Sequence, residues 1–142
     1  MPYQTIYSSE SATPMQASDL EEILIHARSN NRKNRITGAL VYVDGVFLQV
    51  IEGDASVVLG LMDKISRDVR HETVTVLRAE EISNAQFGDW DMAYVSATAE
   101  EVAKWAGLSL TQSVPELLTD LRNDPSRAKR VAQNILAVLA QE

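Results

Sequence analysis

The chain has 142 residues, one domain of ordinary size with room for a helical extension, and its 45% hydrophobic and 23% charged residues exclude a disordered chain. No Cys is present, which excludes a disulfide scaffold, a thiolate zinc or iron–sulfur site and a cysteine nucleophile. A net charge of −7 argues against bulk binding to nucleic acid or anionic lipid.

Residues 3–7, rich in β-branched and aromatic side chains, predict a first strand, and the polar stretch 8–17 with Pro14 predicts a loop. Ser18 and Glu21 have capping-box spacing, and Leu20, Ile23, Leu24 and Ala27 recur at helical intervals, so a helix should start at Ser18 and fade by Asn30 and Asn31. Strands over 36–43 and 46–51 flank Asp44-Gly45, a hairpin turn that exploits glycine's tolerance of positive φ. Asp54 can cap a second helix whose core face is Val58, Leu61, Met62 and Ile65 and which should end near 68–71. Residues 73–77 and 89–95 read as two more strands. The order β-α-β-β-α-β-β suits an α+β, ferredoxin-like sheet with both helices on one face.

Beyond residue 96 the pattern is helical. Thr98 and Glu101 form a capping box, Gly107 is a stop and Pro115 opens a short helix. Asp124-Pro125 then starts a longer helix with an apolar stripe from Ala128 to Leu139. The expected division is a core domain over 1–96 and a C-terminal helical extension over 97–142. In the third strand Phe47, Gln49 and Ile51 share one face while Val46, Leu48 and Val50 share the other. Both faces are largely apolar, so both should be covered, one by the two core helices and the other by the C-terminal helices or a second subunit. The C-terminal stripe suggests a homodimer or larger homo-oligomer.

No apolar run approaches the roughly 20 residues that span a bilayer, and the N-terminus has no signal-peptide pattern, so the expected location is cytoplasmic with no membrane partner. Phosphate-loop, dinucleotide, nucleophile-elbow and zinc-protease motifs are missing, and the two histidines, His26 and His71, read as solvated surface residues rather than metal ligands. Gln49 is the anomaly: a primary amide among Leu48, Val50 and Ile51 in a strand that should be central. Such an amide needs partners or costs about 1–3 kcal/mol, so it is either an edge residue that meets water or a group held beside a polar ligand. Tyr7, at the end of the first strand, raises the same question.

The strings I-Y-S-S at 6–9, A-R-S-N-N at 27–31, I-T-G-A-L-V-Y at 36–42, F-L-Q-V-I-E-G at 47–53, I-S-R-D-V-R-H at 65–71 and W-D-M at 90–92 together resemble the BLUF family of flavin-dependent blue-light sensors. The match runs from residue 3 to about 95, in order and with the family's spacing. The resemblance implies that Tyr7 is the photoactive tyrosine and Gln49 the switching glutamine. It implies that Asn31 meets the flavin's pyrimidine edge with Asn30 beside it, and that Ile23 and Ile65 sandwich the isoalloxazine. Lys64, Asp68, Arg70 and His71 fall where the family contacts the ribityl and phosphate portion. Trp90 and Met92 match last-strand residues that pass the signal outward.

The residues themselves agree with a slot between the two helices, lined by Ile23, Leu24, Leu61 and Ile65, with Gln49 and Tyr7 at its base. Two basic clusters, Arg28, Arg32, Lys33 and Arg35 after the first helix and Lys64, Arg67 and Arg70 at the end of the second, are placed to neutralise a pyrophosphate or simply to complement helix ends. Two positions depart from the family. Arg35 stands where Gly is usual and would be strained by roughly 1–2 kcal/mol at positive φ, unless Asn34 takes that conformation. Ala27 stands where some members carry a hydroxyl.

The resemblance implies non-covalent FAD, electron and proton release from Tyr7 on illumination, rearrangement of Gln49, and a red-shifted state relayed to an unknown protein partner without enzymatic turnover. The alternatives are a flavin-free ferredoxin-like interaction module and a flavin reductase, for which no nicotinamide site is visible.

Overall fold

The structure, a computed structural model, describes residues 2–11, 15–67, 71–88, 90–108 and 113–141. Five strands, β1 (Tyr3–Ser11), β2 (Thr37–Val43), β3 (Val46–Gly53), β4 (His71–Glu81) and β5 (Ala93–Ser96), form one sheet in the order β4-β1-β3-β2-β5. Neighbours are antiparallel except β2 and β5, which run parallel. Helices α1 (Ala17–Asn34) and α2 (Ala55–Arg67) interrupt the strands, and α3 (Ala99–Trp105), α4 (Val114–Asn123) and α5 (Pro125–Ala140) follow them. This is the α+β order expected from the sequence.

β3 is the central strand and is buried on both faces. Phe47 and Ile51 are fully buried on the side of α1 and α2, packed with Leu24 and Leu40 and with Val58 and Met62 respectively. Leu48 and Val50 join a second core with Val102, Leu117, Leu121, Val131 and Ile135 of the C-terminal helices. The inference from the two-sided apolar pattern therefore holds, and the C-terminal helices of the same chain provide the cover. The stripe on α5 that suggested a homo-oligomer is consumed in this packing, Ala128, Val131, Ala132, Ile135 and Leu139 all being buried.

Turn and cap chemistry explains most boundaries. Asp44 and Gly45 both take positive φ, 45° and 84°, the geometry that matches the twist of a two-residue hairpin. Thr98 and Glu101 close the expected box at α3, and Asp124 caps α5 by accepting the Ser126 N–H. At α1 the box lies two residues earlier than expected: Gln16 and Asp19 form it, not Ser18 and Glu21. Arg35, and not Asn34, is left-handed, with φ 57° as the C-cap of α1.

Strand lengths differ from the sequence expectation for a tertiary reason. β1 continues past Tyr7 to Ser11 because Ser8, Ser9 and Glu10 pair with Leu48, Phe47 and Val46 of β3, so Tyr7 is in mid-strand rather than at its end. The last two strands were expected over 73–77 and 89–95; β4 is longer and β5 shorter. Residues 82–88 and 90–92 are irregular, and part of this backbone is held by a side chain. The fully buried carboxylate of Glu52 accepts from the N–H groups of Gln86 at 3.0 Å and Phe87 at 2.6 Å and from Gln4 Nε2 at 2.8 Å.

Among the described residues no helix is long and apolar enough to cross a membrane, and no group of three or more His, Asp or Glu is placed to hold a metal ion.

Candidate functional site

The antiparallel register of β1 and β3 sets Tyr7 directly opposite Gln49. Both project to the face shared with α1 and α2, since alternate residues of a strand share a face. Tyr7 is fully buried, and its hydroxyl donates to Gln49 Oε1. The other end of the amide is also engaged, Gln49 Nε2 donating to Met92 Sδ at 3.3 Å. Gln49 is thus not an edge residue meeting water. It is the middle link of a chain from a buried phenol to a buried thioether.

Above this chain a cavity of about 240 Å³ opens between the two helices. α1 lines it with Ile23, His26, Ala27, Asn30 and Asn31; α2 contributes Leu61, Lys64 and Ile65; the sheet floor is Tyr7, Leu40, Phe47 and Gln49. Seven of the residues singled out in the sequence, Tyr7, Ile23, Asn30, Asn31, Gln49, Lys64 and Ile65, therefore converge on one slot. Asn31 is buried and donates from Nδ2 to the carbonyl of Asp91 at 2.7 Å. Asp68 and Arg70 lie outside the described residues, as does the side chain of His71, whose backbone opens β4 opposite Ser11.

Several expectations are corrected. Leu24 does not line the slot; it is buried beneath it, in one cluster with Leu40, Phe47 and Met92. His26 is exposed, as expected of a solvated surface histidine, and it also lines the slot. Its signal was legible: 23, 26, 27 and 30 fall on one helical face. Phe47 was missed as a floor residue although it lies two positions from Gln49 on the same strand face.

The basic residues of α1 do not flank the slot as a phosphate cradle. Arg28 Nε donates to the Met92 carbonyl at 2.9 Å, and Arg32 pairs with Asp91 at 3.0 Å, so both fasten the segment before β5. Arg67 pairs with Asp63 one turn away on α2. Of both basic clusters, Lys64 is the member that lines the slot among the described residues. Neither Trp90 nor Met92 is in a strand, because β5 begins at Ala93. The two face opposite ways: Met92 is buried beneath the slot with Phe47, while the half-buried Trp90 packs on the C-terminal core with its ring 6.5 Å from that of Phe87.

A slot walled by isoleucines from two helices, with an amide and a phenol at its floor, suits a flat apolar ring system with a polar edge. Residues 3–93 match the family model of sensors of blue-light using FAD, and the chain belongs to this BLUF family. It is 36% identical over 102 residues to the photoactivated adenylate cyclase subunit alpha of Euglena gracilis and 37% identical over 103 residues to the beta subunit of Euglena longa. Each match takes in 72% of this chain but only 10% and 12% of those proteins, so the chain spans about a tenth of their length. Among solved structures it is similar to the dark state of the BLUF protein BlrB, with 28% identity, a TM-score of 0.74 and 96% of both chains covered. It is similar also to the photo-activated state of BlsA, with 26% identity, a TM-score of 0.77 and 96% and 95% covered. The family is one of flavin-binding blue-light sensors, and the chain shares its ferredoxin-like fold.

Proposed function

We propose that this chain holds FAD in the slot between α1 and α2, uses Tyr7 and Gln49 as its photoactive pair, and signals by binding a protein partner rather than by turnover. The observation that carries this reading is the chain Tyr7 Oη, Gln49 Oε1 and Nε2, Met92 Sδ at the floor of the slot. Ile23 and Ile65 would cover the two faces of the ring, Asn31 and Asn30 would meet its polar edge, and Lys64 would meet the ribityl phosphate side. Bound flavin supplies blue absorption and an electron-accepting ring.

The Tyr7 hydroxyl donates to Gln49 Oε1, so loss of an electron from Tyr7 moves that proton toward the amide. Gln49 then tautomerises, rotates or does both. Its Nε2–H and Oε1 exchange roles, and the contact with Met92 Sδ changes. Met92 stands at the end of the segment that leads to β5, and Trp90, two residues earlier, rests on the core of the C-terminal helices. A shift of this segment alters the packing of the region 97–142, which we assign as the output element.

The test is a chromatographic assay of the flavin released on denaturation, with light-minus-dark spectra of the wild type, Tyr7→Phe and Gln49→Leu. FAD and a red shift in the wild type, with flavin retained but no red shift in either variant, is the expected result. A persistent red shift in either variant refutes the assigned pair, and FMN in place of FAD refutes the cofactor assignment.

A further inference from the structure

The slot uses one face of α1, and the opposite face has a character of its own. Residues 23, 26, 27, 30 and 31 turn to the slot, whereas 25, 28, 29, 32 and 33 lie on the far side of a 3.6-residue helix. A ring bound in the slot therefore leaves the far face open. That face is a shallow depression of about 420 Å³ formed by Ile25, Arg28, Ser29, Arg32 and Lys33. Ile25 is 59% exposed, the highest value among the large apolar side chains described as exposed. From Ala27 to Arg35 the sequence carries four positive charges and no negative one, on a chain whose net charge is −7.

The helix dipole accounts for Arg32 and Lys33, which lie in the last turn. It does not account for Arg28 or for an uncovered Ile25 further back. We propose that this face of α1 is a docking surface for an acidic segment of a protein partner, with Ile25 as its apolar anchor. Charge complementarity selects the occupant: a positive stripe on a negative protein attracts an acidic chain, while the negative remainder repels the long polyanion of a nucleic acid.

The stripe is also tied to the switch. Arg28 donates to the Met92 carbonyl and Arg32 pairs with Asp91, and Met92 Sδ accepts from Gln49 Nε2. The Arg32 side chain is 77% exposed, so its pairing with Asp91 is weak and open to competition from an incoming carboxylate. Docking and the arrangement of Gln49 are thereby linked, and partner affinity differs between dark and light. This second statement rests on the photoreceptor reading above; the docking surface itself does not.

The experiment is fluorescence anisotropy with a fluorescein-labelled peptide of Asp and Glu around a central Leu, on the flavin-loaded protein in darkness and under blue light. The variants are Ile25→Ser and Lys33→Glu, neither of which touches the slot or Asp91–Met92. Wild type should bind the peptide with an affinity that changes on illumination. Each variant should weaken binding about tenfold, the loss in Lys33→Glu shrinking at high salt, with the flavin spectrum unaltered. Duplex DNA and phosphatidylserine vesicles serve as rival probes, and sedimentation reports self-association. Wild-type binding no tighter than to a neutral peptide, preference for DNA or vesicles, or a dimer that Ile25→Ser dissociates each overturns the proposal. A normal red shift without peptide binding refutes docking alone, whereas peptide binding without a red shift refutes the photoreceptor reading alone.

Discussion

Replacing Glu52 by Gln separates the carboxylate from the space it occupies. Glu52 is fully buried and accepts three hydrogen bonds of 3.0 Å or less, two on Oε2 from Gln4 Nε2 and the Gln86 N–H, and one on Oε1 from the Phe87 N–H. A carboxamide of the same shape has one acceptor oxygen. Placed to keep Gln4 and Gln86, it turns an NH2 group toward the Phe87 N–H and leaves that buried donor unpaired. Reorienting Gln4 does not restore the balance, because its Oε1 already accepts from Arg78 at 3.0 Å. One unsatisfied donor and the loss of charge assistance cost about 2–3 kcal/mol. For a chain of this size that lowers Tm by about 6–12 °C. The same change loosens the backbone at Gln86 and Phe87, a few residues before Met92, so return to the dark state should accelerate. Thermal unfolding followed by circular dichroism, together with the decay of the red-shifted band, measures both. A Tm within about 2 °C of the wild type would refute the reasoning, since a satisfied network cannot lose an acceptor at so small a cost.

Arg35→Gly should raise Tm by a few degrees, because glycine removes about 1 kcal/mol of strain at φ 57°; a lower Tm in a melt would show that the Arg side chain contributes more than its backbone costs. Gly38→Ala would drive a Cβ into the Val50 carbonyl oxygen, so β2 and β3 must part, and soluble yield and Tm should both collapse; wild-type stability would refute the close approach. Ending the chain at Ala97 uncovers Val41, Leu48 and Val50, at about 1.5–3 kcal/mol each, a total that rivals the whole stability of a small domain. That fragment should aggregate while any folded fraction still red-shifts, and a soluble fragment with unchanged Tm would overturn the packing argument.

The sequence by itself determined the order of the elements that make the sheet, and it singled out Tyr7 and Gln49, which the strand register sets opposite each other. Period-two patterns on both faces of residues 46–51 required cover on both sides, and an amide embedded among Leu48, Val50 and Ile51 required a partner. Local chemistry was legible wherever a residue acts on its own neighbours, as in the Asp44-Gly45 turn and the Thr98 and Asp124 caps. What escaped was every feature set by a partner distant in sequence. The extension of β1 through four residues, 8–11, depends on pairing of the first three with residues 46–48 and of Ser11 with β4. The late start of β5 goes with α1 side chains distant in sequence, Asn31 and Arg28, which take the carbonyls of Asp91 and Met92. The basic residues of α1 could be read either as a phosphate cradle or as helix-end charges, because composition shows charge but not direction. Only the packing of α1 against the sheet turned Arg28 and Arg32 to Asp91 and Met92 and brought His26 to the slot. Helical and strand periods report which side chains share a face; which neighbour that face meets is decided when non-local contacts close the chain.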